Sequence, residues 1–192
     1  DEFGVCLNSE GLKDIVLPEK VAIVIVPYGL KFKRTNAVKL FYQVHNIEEA
    51  LKASAEAADG IIVKGNEAAG KVGYESAYVL FQRVIKALPD ADIYVQGGIG
   101  SHAAAALTAL GAKGIVLDSQ LALFPECTAP KNLKQVCEKL NGNETRLFNN
   151  YRLLVRPNSP ILSDDPGFEE LEKYLGGLNL EQHYLPMGQD IA

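Results

Sequence analysis

Two glycine-rich turns carry the residues with which this chain could do chemistry. Gly60-Ile-Ile-Val-Lys-Gly-Asn-Glu-Ala-Ala-Gly-Lys-Val-Gly73 and Tyr94-Val-Gln-Gly-Gly-Ile-Gly100 each pass from an apolar run into glycine and on into a helical pattern. Glycine lets a backbone approach a ligand closely. A helix that follows turns its unpaired N–H groups and positive dipole end toward an anion. A third unit, Gly114-Ile-Val-Leu-Asp-Ser119, comes next. Together they point to a phosphate-bearing cofactor held at one end of a parallel sheet.

Three phosphate readings compete. Gly65-Asn-Glu-Ala-Ala-Gly70-Lys71 fits the G-x-x-x-x-G-K of a P-loop, but the metal-holding Ser or Thr is replaced by Val72, and Glu67 puts a carboxylate inside the loop. Gly98-Ile-Gly100-Ser-His-Ala103 fits the dinucleotide fingerprint G-x-G-x-x-A, with Asp118 one strand later as a ribose acid. That fingerprint belongs at a first strand, and here four strands precede it. The third reading is a (β/α)8 barrel with its phosphate site after the last two strands. It places Gly97, Gly98 and Ser119 around one anion, uses every glycine-rich turn and needs no metal.

The elements that must position these turns alternate. Phe3-Gly-Val-Cys-Leu7, Val21-Ala-Ile-Val-Ile-Val26, Leu40-Phe-Tyr-Gln-Val44, Gly60-Ile-Ile-Val63, Ile93-Tyr-Val95 and Ile115-Val-Leu117 read as strands. The second is apolar on both faces, as a buried parallel strand requires. Asn46 caps a helix with Glu49 three residues on; Ala77 to Leu88 and Ala103 to Leu110 are further helices. Repeated βα units predict parallel strands with right-handed crossovers. Beyond Pro130 the rhythm stops: a helix over Asn132 to Leu140, a strand-like Tyr151-Arg-Leu-Leu-Val155 and a short helix over Phe168 to Leu175 lie in a polar, turn-rich setting. The expectation is a single domain over 1–192, with βα units over 1–125 and an irregular extension over 126–192.

Composition narrows the partners. In 192 residues, 47% are hydrophobic and the net charge is −5, which argues against nucleic acid. No apolar run reaches the roughly 20 residues that span a bilayer, and Asp1-Glu-Phe-Gly-Val5 does not read as a signal peptide. Cys6, Cys127 and Cys137 lack metal-ligand spacing and read as reduced thiols of a cytoplasmic protein.

The turns also carry a family likeness. Glu67-Ala-Ala-Gly-Lys-Val-Gly73, Gln96-Gly-Gly-Ile-Gly100 and Leu117-Asp-Ser-Gln-Leu121 resemble the FMN barrels of nitronate monooxygenases (2-nitropropane dioxygenases) and the related flavin enoyl reductases. With Val79-Leu-Phe-Gln82, Asn141-Gly-Asn-Glu-Thr145 and Leu185-Pro-Met-Gly-Gln-Asp190, the chain most resembles the barrel domain of large bacterial type I polyketide synthases. The resemblance implies an α/β fold, a TIM-type barrel with about six of its eight strands, beginning at the third, and so a segment of a longer protein. It implies FMN, a nicotinamide reductant, and an acyl or enoyl thioester on a carrier domain beside other synthase domains. It places Gly97, Gly98 and Ser119 at the FMN phosphate, Gly65 and Gly70 beside the flavin, Gln43 at the pyrimidine side of the ring and Gln189 near the cofactor. Glu67 orders the loop or meets the ribityl chain, and Gly29 lies at the barrel mouth.

Lys71 stands where the family has the histidine that takes the proton next to a nitro group. Lysine titrates near 10.4 in water, so in that role it is a weak base at neutral pH. Nitronate oxidation is disfavoured; enoyl reduction, with Lys71 as acid or anion holder, is less affected. His45 and His183 read as surface or capping residues, and His102 as structural. The rival expectation is a barrel without catalysis that serves as a docking module of a synthase. A Rossmann dehydrogenase is the third.

Overall fold

The computed structural model describes residues 2–7, 16–33, 38–157, 159–160, 163, 166–175 and 183–191. In chain order the strands are β1 (Phe3–Cys6), β2 (Val21–Pro27), β3 (Lys39–Val44), β4 (Gly60–Lys64), β5 (Gly70–Lys71), β6 (Ile93–Gln96), β7 (Gly114–Val116), β8 (Thr145–Phe148), β9 (Tyr151–Leu154) and β10 (Leu185–Pro186). The helices are α1 (Ile47–Ala55), α2 (Ala77–Ala87), α3 (Ser101–Ala109), α4 (Lys131–Cys137) and α5 (Phe168–Glu172).

Six strands pair in parallel in the order β1-β2-β3-β4-β6-β7 and curl into a half-barrel, the incomplete TIM-type barrel expected from the βα rhythm. Among the described residues β1 and β7 do not pair, so the sheet stays open. Each strand sends alternate residues to opposite faces. Val44, Val63 and Val95 turn outward and are fully buried with Ala50 and Ala53 of α1 and Leu80, Phe81 and Val84 of α2. Burying an aliphatic side chain in this way contributes about 1.5–3 kcal/mol. The inner face is apolar below, where Phe41 and Tyr94 stack with centroids 5.1 Å apart. It becomes polar at the C-terminal rim.

The local signals behave as their chemistry dictates, with one shift. Asn46 Oδ1 accepts the Glu49 N–H at 2.8 Å and starts α1. Glu49 returns its carboxylate one residue further back than a capping box does, to the His45 N–H at 2.8 Å. Pro89 follows the end of α2, where a helix cannot continue.

The segment after β7 is more regular than its composition suggests. β8 and β9 form a hairpin with Phe148 opposite Tyr151, and β9 also pairs with β5 and β10 in a second, four-stranded sheet. This sheet clamps the loop after β4: Gly70 pairs with Arg152, and the Val72 N–H donates to Asn150 O at 2.8 Å. Buried Arg152 donates through Nε to Asn66 O and through Nη1 to Thr145 Oγ1 at 3.2 Å. No helix among the described residues is long and apolar enough to cross a membrane.

Candidate functional site

The C-terminal tips of the parallel strands converge on one rim, the place where α/β folds bind ligands. Pairing register defines what faces inward there. Gln43 lies opposite Ile62 on β4, Lys64 two residues on lies opposite Gln96, and Gln96 lies opposite Val116, two residues before Asp118. Gln43, Lys64, Gln96 and Asp118 therefore form a polar row across β3, β4, β6 and the tip of β7.

Hydrogen bonds knit this row together. Gln43 Nε2 donates to Gln96 Oε1 at 2.8 Å, passing over β4. Gln96 Nε2 donates to Asp118 Oδ2 at 3.1 Å, and the same oxygen accepts the Ala69 N–H at 2.9 Å. Lys64 sits half-buried in the row. Burial pushes its pKa below the ordinary lysine value, while the Asp118 carboxylate and Cys6 oppose that shift and the Lys71 charge adds to it. The Cys6 thiol at the tip of β1 is pushed up by burial and by Asp118, against Lys64.

Gly97 and Gly98 form the turn after β6, with φ of +121° and +62°, a region that L side chains avoid. A Cβ on Gly97 would stand 3.0 Å from the Ala68 nitrogen, and one on Gly98 3.0 Å from Glu67 Cβ. Gly100 caps α3 without a side chain, so the first-turn N–H groups of that helix are left uncapped toward the rim. The tip of β7 adjoins this turn, because β6 and β7 are paired neighbours. Ser119 lies there, its Oγ accepting the Gly188 N–H at 2.7 Å. Gln189 is held beside the same loops, its N–H donating to Glu67 O at 2.8 Å. The next residue, Asp190, is buried, and one of its carboxylate oxygens has no partner among the described residues. Burial and the Asp118 charge push its pKa up, against the backbone N–H groups of Asp190 itself, Ser119 and Gln120.

Gln43, Gly70 and Lys71 line a cleft of about 1020 Å³ that opens beside the row, with Lys64, His45 and Gly29 also in its wall. Lys71 is exposed on β5. Gly65 lies a short step behind, where a side chain would collide with the α2 backbone at Ala77. Glu67 turns its carboxylate to the Ala77 N–H at 2.9 Å and caps α2. His45 is buried rather than at the surface, with Nδ1 3.1 Å from Glu49 Oε2.

The expected residues fall into two groups. Gly97, Gly98, Ser119 and Gln189 surround the β6 and β7 tips; Gln43, Gly70 and Lys71 face the cleft. Lys64, Gln96 and the relay role of Asp118 were not singled out from the sequence. The signal was present: the apolar runs of β4 and β6 each end on one polar residue of the inner face, Lys64 and Gln96.

Comparison with known proteins agrees with this architecture. Residues 9–152 match the family model described as nitronate monooxygenase. FabK from Thermotoga maritima superposes with a TM-score of 0.85 at 22% identity, over 99% of this chain and 69% of that one. A nitroalkane oxidase from Streptomyces ansochromogenes gives 0.62 at 25% identity, over 71% and 46% of the two chains. The enoyl reductase domain of MlnA, from the macrolactin biosynthesis cluster of Bacillus amyloliquefaciens, gives 0.63 at 15% identity, over 81% and 51%. No curated protein matches by sequence. The likenesses to FabK and MlnA concern the fold alone; the family match spans most of the chain. The chain belongs to the nitronate monooxygenase family of flavin-dependent oxidoreductases.

Proposed function

We propose that the chain holds FMN, with the phosphate at the tips of β6 and β7 and the ring along the polar row, and reduces an acyl or enoyl thioester with a nicotinamide reductant. One observation carries this reading: the positive-φ turn at Gly97 and Gly98 runs into the uncapped end of α3, beside Ser119. Donors without side chains in front of them suit a phosphate. The adjoining cleft is large enough for a flavin ring and has the Gln43 amide and Lys64 in its wall.

When bound, the flavin supplies the hydride chemistry. The chain's own residues bind and orient. Gly97, Gly98 and Ser119 would hold the phosphate, Gln43 the pyrimidine edge, and Gly65 and Gly70 keep the loop after β4 low beside the ring. Lys71 at the cleft wall carries a proton donor and a positive charge, suited to a thioester carbonyl or a carrier phosphate. It is poorly suited to removing a proton from a nitroalkane. In a synthase setting the thioester would be carried on a carrier domain, a reading that the motif resemblance and the likeness to the MlnA enoyl reductase domain support.

A second reading is favoured by Asp190. Its carboxylate faces the Ser119 and Gln120 N–H groups that a phosphate would use. A domain in which the tail keeps that place would be a docking module without catalysis.

The test is reconstitution with FMN and anaerobic addition of NAD(P)H, followed by an enoyl thioester. Bleaching of the flavin band by the reductant and its return with substrate supports the enzyme. A protein that stays colourless after FMN treatment overturns it in favour of the module.

A further inference from the structure

The relay across the strand tips has a direction. An ionised carboxylate only accepts hydrogen bonds. Asp118 Oδ2 already takes the Ala69 N–H at 2.9 Å, so Gln96 must turn its NH2 toward it, as observed at 3.1 Å. The Gln96 oxygen is then the atom left for Gln43, which must present its own NH2, as observed at 2.8 Å. Each amide is oriented by the one before it, starting from a carboxylate that cannot be reversed. At the end of the chain one of the two Gln43 Nε2 protons is held by Gln96, and Oε1 has no protein partner among the described residues. That oxygen is not sealed in: Gln43 lines the cleft, and Oε1 is absent from the buried atoms that lack a partner.

We propose that Asp118, acting through Gln96, holds the NH2 of Gln43 toward β6 so that this amide turns its Oε1 to the cleft, and that Gln43 thereby accepts a ligand N–H, the N3–H of the flavin ring. The inference rests on the flavin reading above. The pyrimidine edge presents two carbonyl oxygens on either side of that N–H. An amide free to rotate could meet a carbonyl with its NH2 instead. The relay removes that choice and fixes the ring's register along the row. Asp118 and Gln96 are positioning residues; Gln43 is the one that touches the ring.

The experiment uses FMN labelled with 15N at N3, bound to the protein and observed by proton–nitrogen correlation. The expected result is a protected N3–H signal in the wild-type complex, shifted downfield from free FMN. Gln43→Leu removes it. Gln96→Met, which leaves Asp118 and Gln43 in place, also removes or broadens it, and FMN affinity falls about three- to tenfold, the loss of one oriented hydrogen bond. Gln96→Ala is a second break of the same relay should the methionine variant fold poorly. An N3–H signal unchanged in Gln43→Leu or in the Gln96 variants, with FMN still bound, overturns this inference and leaves the flavin reading intact. No uptake of FMN by the wild-type protein overturns both.

Discussion

Ser119 Oγ accepts the Gly188 N–H at 2.7 Å, joining the tip of β7 to a turn 69 residues further along the chain. With the Gln189 N–H on Glu67 O, this contact seats the Gly188–Ile191 turn on the rim of the half-barrel. Ser119→Ala leaves the Gly188 N–H without its acceptor and should cost about 0.5–1.5 kcal/mol. Urea unfolding would show the midpoint fall with an unchanged slope. If Ser119 also serves the phosphate, the same variant weakens FMN more than it weakens riboflavin.

Gly97 should be the least replaceable residue of the rim. Its φ of +121° and the Ala68 nitrogen 3.0 Å from any added Cβ leave no room for a side chain. Gly97→Ala is expected to lose about 1–3 kcal/mol through backbone strain. Gly100→Ala, with open space around its Cβ and φ of −88°, should lose much less. Equal losses in thermal or urea unfolding would contradict the strain argument.

Asp190 should give the fold an acid-side signature. Burial and the Asp118 charge raise its pKa in the folded state. Between the ordinary Asp value of about 3.9 and that raised value, the folded chain binds more protons than the unfolded one. Stability therefore falls as pH rises through this window and is recovered on acidification. Asp190→Asn should flatten this part of the pH–stability curve and raise stability at neutral pH. A curve unchanged by the substitution would show that Asp190 titrates normally.

Much of the architecture was legible because the parallel strands declare themselves. Val21 to Val26 and Gly60 to Val63 are apolar on both faces, and the alternation with Ala77–Ala87 and Ser101–Ala109 leaves little choice but βα units. The β8–β9 hairpin was not legible. Its turn is Asn149-Asn150 without glycine, with Asn149 itself at φ +52°, and its central strand buries Arg152, a residue that reads as solvent-facing until Asn66 O and Thr145 Oγ1 are known to receive it. The tight turn at Gly97 and Gly98 was legible from its glycines, whose role is local. The Gln43–Gln96–Asp118 row was not, because it depends on register between strands 53 and 22 residues apart in sequence.

Lys71 offers a gain-of-function test. It lies in the cleft wall, where the sequence resemblance implies the family's histidine. In FMN-loaded protein, Lys71→His should raise nitronate oxidation by about 100-fold, the range of a positioned general base. Enoyl reduction should fall or stay level in the same variant. Oxygen consumption with a nitronate, and thioester reduction monitored in parallel, separate the two effects. No rise in nitronate oxidation would mean that the cleft does not place its ligand against residue 71.

The central claim is that the neighbouring tips of β6 and β7 hold a flavin's phosphate, and comparing FMN with riboflavin tests it most directly. Titration of the purified protein, followed by quenching of flavin fluorescence, should show FMN bound at least about tenfold more tightly, since charge-assisted hydrogen bonds to a phosphate are each worth roughly 1.5–3 kcal/mol. Gly97→Ala should bring FMN down toward riboflavin. Equal affinity for the two flavins, or no binding of either, would contradict the account.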